Sequence, residues 1–544
     1  MNARHWTRSY GTIPLEINPD RYPSVTAMMD EAMVQYADQV AFNCFGKTLT
    51  YAQVDQLSAA FCAYLQHTVG IKKGDRVAVM LPNLAAFPLA LLGIIRAGAV
   101  QVNVNPLYTP RELEHQLTDA GCDAIVIFTG STPTLGEIIG KTHLKSVLTV
   151  GLGDGLGAQL PSPAVDARLT QAVPFTTALA EGAKLERVPV SLTGADTLFL
   201  QYTGGTTGLS KGATLSHRNL VANTEQFKAF MAGAMRPAEE VVVTAVPLYH
   251  IMALMGNFLS YFSIGAENWL VANPRDMDGF VATLKAARPS VFVGVNTLYQ
   301  GLTLHPGLKE VDWSRLRLSA GGGAAVVGVT SDRWKAITGN FIREGYGLSE
   351  TSPILSFNPL SIDDFSGSTG LPAPSTDVKL LDDDGHEVAL GEAGEVCAKG
   401  PQVMSGYWRK PEANVDAFTP DGYFKTGDVG VFDERGFLKI VDRKKDMILV
   451  SGFNVYPNDV EAVASACPGV AECACIGVPD DKTGEAVMLY IVKTPEATLT
   501  AEEVRAYCRR ELTAYKVPKQ VAFLASLPKS AVGKILRRDL RTAA

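Results

Sequence analysis

A chain of 544 residues exceeds what one hydrophobic core organises and implies several domains. Hydrophobic residues at 47% and charged residues at 19%, with a mean hydropathy of +0.09, exclude an extensively disordered chain and an integral membrane protein. The net charge of -7 leaves no footprint for nucleic acid, so local basic residues must meet any polyanionic ligand.

The first residues, Met1-Asn-Ala-Arg-His-Trp-Thr-Arg8, lack the apolar core of a signal peptide. The eight cysteines (44, 62, 122, 397, 467, 473, 475, 508) show no Cys-x2-Cys spacing, which fits a reduced cytoplasmic setting better than a disulfide framework or a zinc site. Strand-like residues 97–104 and 123–128 flank a helix with both ends signalled. Thr109 caps it, Pro110 suits the first helical position, Glu112 completes a capping box, Leu113 and Leu117 share a face, and Gly121 ends it. This βαβ rhythm predicts a mixed or parallel sheet. Residues 151–163, rich in Gly, Pro and Leu, predict an exposed loop.

In Tyr202-Thr-Gly-Gly-Thr-Thr-Gly-Leu-Ser-Lys-Gly212, glycines alternate with hydroxyls and a lysine closes the run. Gly204, Gly205 and Gly208 let backbone N–H groups approach phosphate oxygens, Thr203, Thr206, Thr207 and Ser210 add hydroxyl donors, and Lys211 supplies a compact positive charge. It is not a Walker A loop, because Ser210 precedes Lys211 and Gly212 follows it. Residues 197–202 and 213–216 read as strands, so the loop joins two strands. Taken alone, such a run is more often a surface turn.

Residues 241–266 carry no Asp, Glu, Lys or Arg, but Pro247, Tyr249, His250 and Asn257 interrupt them. A buried strand, a turn and a buried helix are predicted there, not a membrane span. From about Gly367 short strands with tight turns, such as residues 378–385 and 395–399, predict a small β-barrel or sandwich. After Asp446 the βαβ rhythm returns, with residues 457–467 and 501–512 helical and residues 470–478 and 486–492 strand-like. Cys473 and Cys475 fall on a half-buried strand, and Lys445 marks a domain boundary.

Five further segments complete an ordered set: Pro247-Leu-Tyr-His250, Ser319-Ala-Gly-Gly-Gly-Ala-Ala325, Glu344-Gly-Tyr-Gly-Leu-Ser-Glu350, Tyr423-Phe-Lys-Thr-Gly-Asp428 with Asp442-Arg-Lys-Lys-Asp446, and Pro528-Lys-Ser-Ala-Val-Gly-Lys534. In this order, over nearly the whole chain, they resemble the adenylate-forming superfamily of acyl-CoA synthetases, luciferases and non-ribosomal adenylation domains. Residues 102–116, Asn273-Pro-Arg-Asp276, Gly294-Val-Asn-Thr297 and residues 441–457 are similar to bacterial long-chain fatty-acid-CoA ligases.

The resemblance implies an α/β fold. A large N-terminal domain, residues 1–444, would hold several α/β sheets plus a small β-barrel, and a smaller mobile α+β C-terminal domain, residues 445–544, would hinge at Lys445. It implies a two-step ligase that forms an acyl-adenylate from a fatty acid and ATP, with Mg²⁺, and passes the acyl group to coenzyme A. By the family pattern Thr203 to Lys211 hold phosphates, Glu350 binds Mg²⁺, Ser349 donates to the α-phosphate, and Tyr346 stacks on adenine against Gly321, Gly322 and Gly323, beside Gly347. Asp428 takes the ribose hydroxyls, Arg443 the ribose or phosphates, and Lys534 the carboxylate and α-phosphate. The Ser451, Gly452 and Phe453 face serves thioester formation. Met252, Val295 and Gly323 line the acyl pocket, and His250 gates it or faces the carboxylate, although a lone histidine in an apolar stretch is more often a satisfied core residue. An aryl-CoA ligase, a fatty acyl-AMP ligase and a non-catalytic acyl- or nucleotide-binding regulator are the alternatives. Peripheral contact with the inner face of the cytoplasmic membrane is part of the resemblance, while the oligomeric state, a homodimer included, stays open.

Overall fold

The structure, a computed structural model, describes residues 4–203, 210–451, 453–530 and 533–541. Local signals account for many element ends. The helix Pro110–Ala120 begins where Thr109 Oγ1 accepts from the Glu112 backbone and Glu112 Oε2 accepts from the Thr109 backbone at 2.8 Å, and it ends on Gly121 at φ 65°. Leu113 and Leu117 are buried on its sheet-facing side.

Two large sheets organise the chain up to residue 372. A seven-stranded sheet runs in the order Val173–Pro174, Ser146–Val150, Ala124–Phe128, Arg76–Met80, Val100–Asn103, Thr197–Thr203, Lys211–Ser216, parallel except for the last pair. A nine-stranded sheet has a parallel centre, Glu267–Leu270, Val241–Thr244, Val291–Gly294, Leu318–Gly321 and Ile342–Gly347, with antiparallel pairs at both edges. Val77 and Val79 of the first sheet and Ala41 and Phe42 of the second share one apolar core with the helix Ala86–Arg96, which is buried along its whole length. Such a helix, apolar on nearly every side, suits a position covered by layers on both sides.

The uncharged run 241–266 is the buried strand Val241–Thr244 followed by one helical stretch, Ile251–Ala253, a π-helical Leu254–Leu259 and Ser260–Phe262. Among the described residues no helix is long and apolar enough to cross a membrane.

The expected small barrel is corrected to an open four-stranded antiparallel sheet, Asp377–Leu381, Gly394–Lys399, Phe424–Phe432 and Leu438–Arg443. Its last strand bridges Gly370 instead of closing on the first, because the large domain covers that edge. A fourth sheet, of five strands, begins at Ile448, so the change of sheet falls between Arg443 and Ile448. In it the strand Val470–Asp480 is buried on both faces at its centre, not on one: Cys473 and Cys475 pack with the helices Pro457–Ser465 and Ala501–Glu511, while Ala474 and Ile476 pack with Leu527 and Leu540. All eight cysteines are free and buried.

Candidate active site

The parallel strands Val241–Thr244, Val291–Gly294, Leu318–Gly321 and Ile342–Gly347 end at one edge of the large sheet. Ligand crevices of open α/β sheets lie outside the carboxyl ends of their strands. Three of the six motif segments, those around His250, Gly321 to Gly323 and Glu350, lie at these ends. At Gly347 a Cβ would run into the Pro353 carbonyl, so the turn toward Glu350 has room for glycine alone. At Gly322 a Cβ would lie 3.2 Å from the Gly345 carbonyl and 3.4 Å from Met252 Sδ, and at Gly323 one would lie 3.6 Å from Val295 Cγ1. Gly321 to Gly323, Met252 and Val295 therefore meet around one bare stretch of backbone.

Thr203 pairs with Lys211 at the mouth of a two-stranded antiparallel ribbon, so the glycine-rich loop does join strand to strand. Gly204, Gly205, Thr206, Thr207 and Gly208 lie outside the described residues. His115 meets the Ser210 carbonyl at 2.9 Å, tying the end of the loop to the capped helix. Lys211 Nζ sits 4.5 Å from the centre of the Tyr407 ring, and the Tyr407 hydroxyl donates to Glu350 Oε1 at 2.8 Å. Backbone bonds fix this triplet: Trp408 N donates to the Gly212 carbonyl and Met404 N to the Glu350 carbonyl, both at 2.8 Å. Burial raises the Glu350 carboxyl above its usual range, and the Tyr407 hydrogen bond works against that rise.

A second cluster stands beside the first. Tyr346 donates its hydroxyl to Asp428 Oδ2 at 2.6 Å, and Arg443 Nε lies 3.6 Å from Asp428 Oδ1. Lys534 reaches this cluster from the domain of the five-stranded sheet. Burial, with Arg443 adding repulsion, lowers its ammonium to about 8, while Asp428 opposes that shift. Thr297 donates to the Gly533 carbonyl at 3.2 Å, seating the loop against the segment that carries Val295. His250 is half-buried, and burial together with Lys534 holds it down at about 4, so it is neutral at pH 7. Its Nδ1 accepts from the Met252 backbone at 3.3 Å, which places the proton on Nε2. Ser349 lies half-buried in the short turn Ser349–Thr351 with Glu350.

The structure does not bring every expected residue here. Ser451 and Phe453 are exposed, Phe453 stacks on Tyr515 with ring centres 4.8 Å apart, and Gly452 lies outside the described residues. Lys445 is exposed in the turn where Asp446 N donates to the Arg443 carbonyl at 2.9 Å. The sequence singles out no role for Tyr407, and it marks Thr297 only as part of the Gly294-Val-Asn-Thr297 segment, without the contact to Gly533. A surface cavity of about 450 Å³, lined by Glu239, Glu240, Arg315 and Arg317 among others, contains none of the motif residues.

The chemistry of the donor set bears on Mg²⁺. Among the described residues the one cluster of three ligand-type side chains is Asp382, Asp384 and His386, exposed on a turn. Glu350 is a single buried carboxylate with a hydroxyl donor, which fits Mg²⁺ held by one carboxylate together with substrate phosphates and water.

Residues 29–408 match the family described as AMP-binding enzyme, and residues 459–534 match the AMP-binding enzyme C-terminal domain. A long-chain-fatty-acid–CoA ligase of Salmonella typhimurium is 50% identical over 551 residues, covering 99% of this chain and 98% of that protein. A long-chain-fatty-acid–CoA ligase of Escherichia coli O6:H1 is 49% identical, with the same 99% and 98% coverage. Among solved structures, ATP-bound MatB from Rhodopseudomonas palustris superposes with a TM-score of 0.83 at 30% identity, over 96% of this chain and 99% of that one.

Proposed function

The chain belongs to the AMP-binding enzyme family, and on that footing we propose that it is an ATP-dependent long-chain-fatty-acid–CoA ligase. A fatty carboxylate attacks the α-phosphorus of ATP and pyrophosphate leaves. The thiol of coenzyme A then attacks the acyl carbon of the adenylate, losing its proton, and AMP leaves. Neither half needs a protein nucleophile, so the protein contributes position and charge.

The observation that carries this reading is the meeting of Lys534, from one domain, with Asp428, Arg443 and His250 from the other. A half-buried ammonium there offsets the repulsion between carboxylate and α-phosphate. His250, neutral and protonated on Nε2, can donate to the same carboxylate without adding charge. Asp428 releases Tyr346 to take ribose hydroxyls, and Tyr346 packs adenine against the backbone of Gly321 to Gly323. Ser349 donates to the α-phosphate and Arg443 to ribose or phosphate. Thr203 to Lys211 receive the outer phosphates, with Lys211 held over Tyr407 in the ready position. Glu350 would hold Mg²⁺, which supplies neutralisation of phosphate charge when bound.

Lys445 acts as the hinge between residues 1–444 and 445–544. Turning the smaller domain about it withdraws Lys534 and brings the 451–453 face to the adenylate for thioester formation. A long-chain fatty acid partitions into bilayers, so peripheral contact with a membrane belongs to the proposal. Vesicle flotation tests it, and failure to co-float removes it.

Pyrophosphate release with Mg-ATP across short, medium and long fatty acids and two aryl acids, with and without coenzyme A, tests the function. Turnover peaking on long chains, with thioester formed only when coenzyme A is present, is expected. Preference for an aryl acid, or adenylate accumulating regardless of coenzyme A, would overturn it.

A further inference from the structure

Gly256 lies in the π-helical segment Leu254–Leu259, and it is buried. A Cβ built on it would have no heavy atom within 4 Å. That combination is unusual in this molecule. Every other described glycine with such open space is at least partly exposed, as at Gly140 and Gly339, whereas a Cβ on buried Gly93 or Gly321 would lie 2.6 Å from a neighbouring side chain. Interiors pack to crystal-like density, so an open volume beside a fully buried backbone position calls for an occupant.

Its place in the chain says which occupant. His250 caps this helix, and Met252 Sδ faces the Gly322–Gly323 backbone opposite Val295. Positions i and i+4 share a helix face, so Gly256 continues the face of Met252. It lies about one turn further along the helical stretch. Its neighbours Leu254, Met255, Phe258 and Leu259 are wholly buried and apolar. The helix His217–Phe230 packs against this segment. Thr224 on that helix and Tyr261, in the Ser260–Phe262 helical turn that follows the segment, bury hydroxyls that have no hydrogen-bond partner among the described residues.

We infer that the volume beside Gly256 receives the distal methylenes of the acyl chain, and that the missing side chain at 256 sets how long a chain is accepted. This inference rests on the fatty-acid–CoA ligase reading. A side chain at 256 leaves the carboxylate end, His250 and Lys534 untouched and fills only the deep end. The loss should therefore grow with chain length.

The test compares Gly256→Ala, Gly256→Leu and the unaltered enzyme on saturated acids from octanoate to stearate, reading pyrophosphate release and thioester. Gly256→Leu should lower kcat/KM for palmitate and stearate by at least about tenfold, the scale on which apolar pockets discriminate, and leave octanoate within about twofold. Gly256→Ala should shift the optimum in the same direction by less. Thermal unfolding accompanies the assay, and if the leucine variant does not fold the alanine variant decides. An equal loss on all chain lengths, or an unchanged profile in a folded variant, would overturn the inference. Failure of the unaltered enzyme on every fatty acid would instead sink the ligase reading, a distinguishable result.

Discussion

Tyr407 donates its hydroxyl to Glu350 Oε1 at 2.8 Å while its ring carries the Lys211 ammonium 4.5 Å from its centre. One side chain thus holds both the cation proposed for the outer phosphates and the carboxylate proposed for Mg²⁺. The ring contact orients the lysine without neutralising it, as an ion pair would.

Tyr407→Phe keeps the ring and removes the hydroxyl. A hydrogen bond to a charged group contributes about 1.5–3 kcal/mol, so kcat/KM for Mg-ATP should fall about tenfold or more. Without the hydroxyl the Glu350 carboxyl rises further, so the Mg²⁺ requirement should steepen below neutral pH. Tyr407→Leu, which also frees Lys211, should lose more. A Mg²⁺ titration of pyrophosphate release checks this, and an unchanged curve for the phenylalanine variant would contradict it.

Lys534 carries its charge below about pH 8. Adenylation should therefore decline as pH rises through about 8, and Lys534→Arg, charged throughout, should flatten that limb even where its rate is lower. The stability effect has the opposite sense. A lysine lowered from its ordinary value stabilises the fold when neutral, so that contribution is present above about 10.5 and lost as pH falls through about 8. An alkaline limb that persists in the arginine variant would assign it to another group.

Glu344 accepts from the Val326 backbone at 3.0 Å, and burial pushes its carboxyl up to about 8. Between about 4.5 and about 8 the folded state binds more protons than the unfolded one, so this group's contribution to stability is lost as pH rises across that window. Glu344→Gln should remove that part of the pH dependence, on the order of a few kcal/mol. Denaturant unfolding at pH 5 and pH 9 should show the variant gaining on the unaltered protein at the higher pH; parallel behaviour would contradict the assignment.

Arg537 ties the two domains. It donates to Asp442 at 3.0 Å on the last strand of the four-stranded sheet, and to Asn458 at 2.6 Å and Glu461 at 2.9 Å in the smaller domain. Removing one partner of a buried ionic network costs about 3–5 kcal/mol. Arg537→Ala should therefore weaken the seating of Lys534, three residues away, and slow adenylation by more than it slows thioester formation from preformed acyl-adenylate. Equal slowing of both halves would show that Arg537 acts only on the fold.

Much of this was legible where chemistry is local. The Thr109–Glu112 capping box, Gly121, the strand–loop–strand frame of Lys211 and the helix beginning at Pro457 all follow from short-range rules. Tyr407 was not, because nothing in the spacing of positions 211, 350 and 407 says that an antiparallel bridge from Ala213 to Tyr407 brings them together. The π-helical turn around Gly256 was hidden for a different reason. A segment buried on all sides has no polar face, and periodicity then carries no signal. Closure of the small sheet was misread because strand and turn residues do not report which edge a neighbouring domain covers.

The most direct measurement is single-turnover kinetics of Lys534→Ala on each half-reaction separately, with palmitate and Mg-ATP for the first and palmitoyl-adenylate with coenzyme A for the second. Adenylation should fall by about a hundredfold or more while ATP still binds and thioester formation stays near the unaltered rate, as expected when a transition-state contact is removed. Adenylation at the unaltered rate would contradict the role given to Lys534 and, with it, the two-domain site.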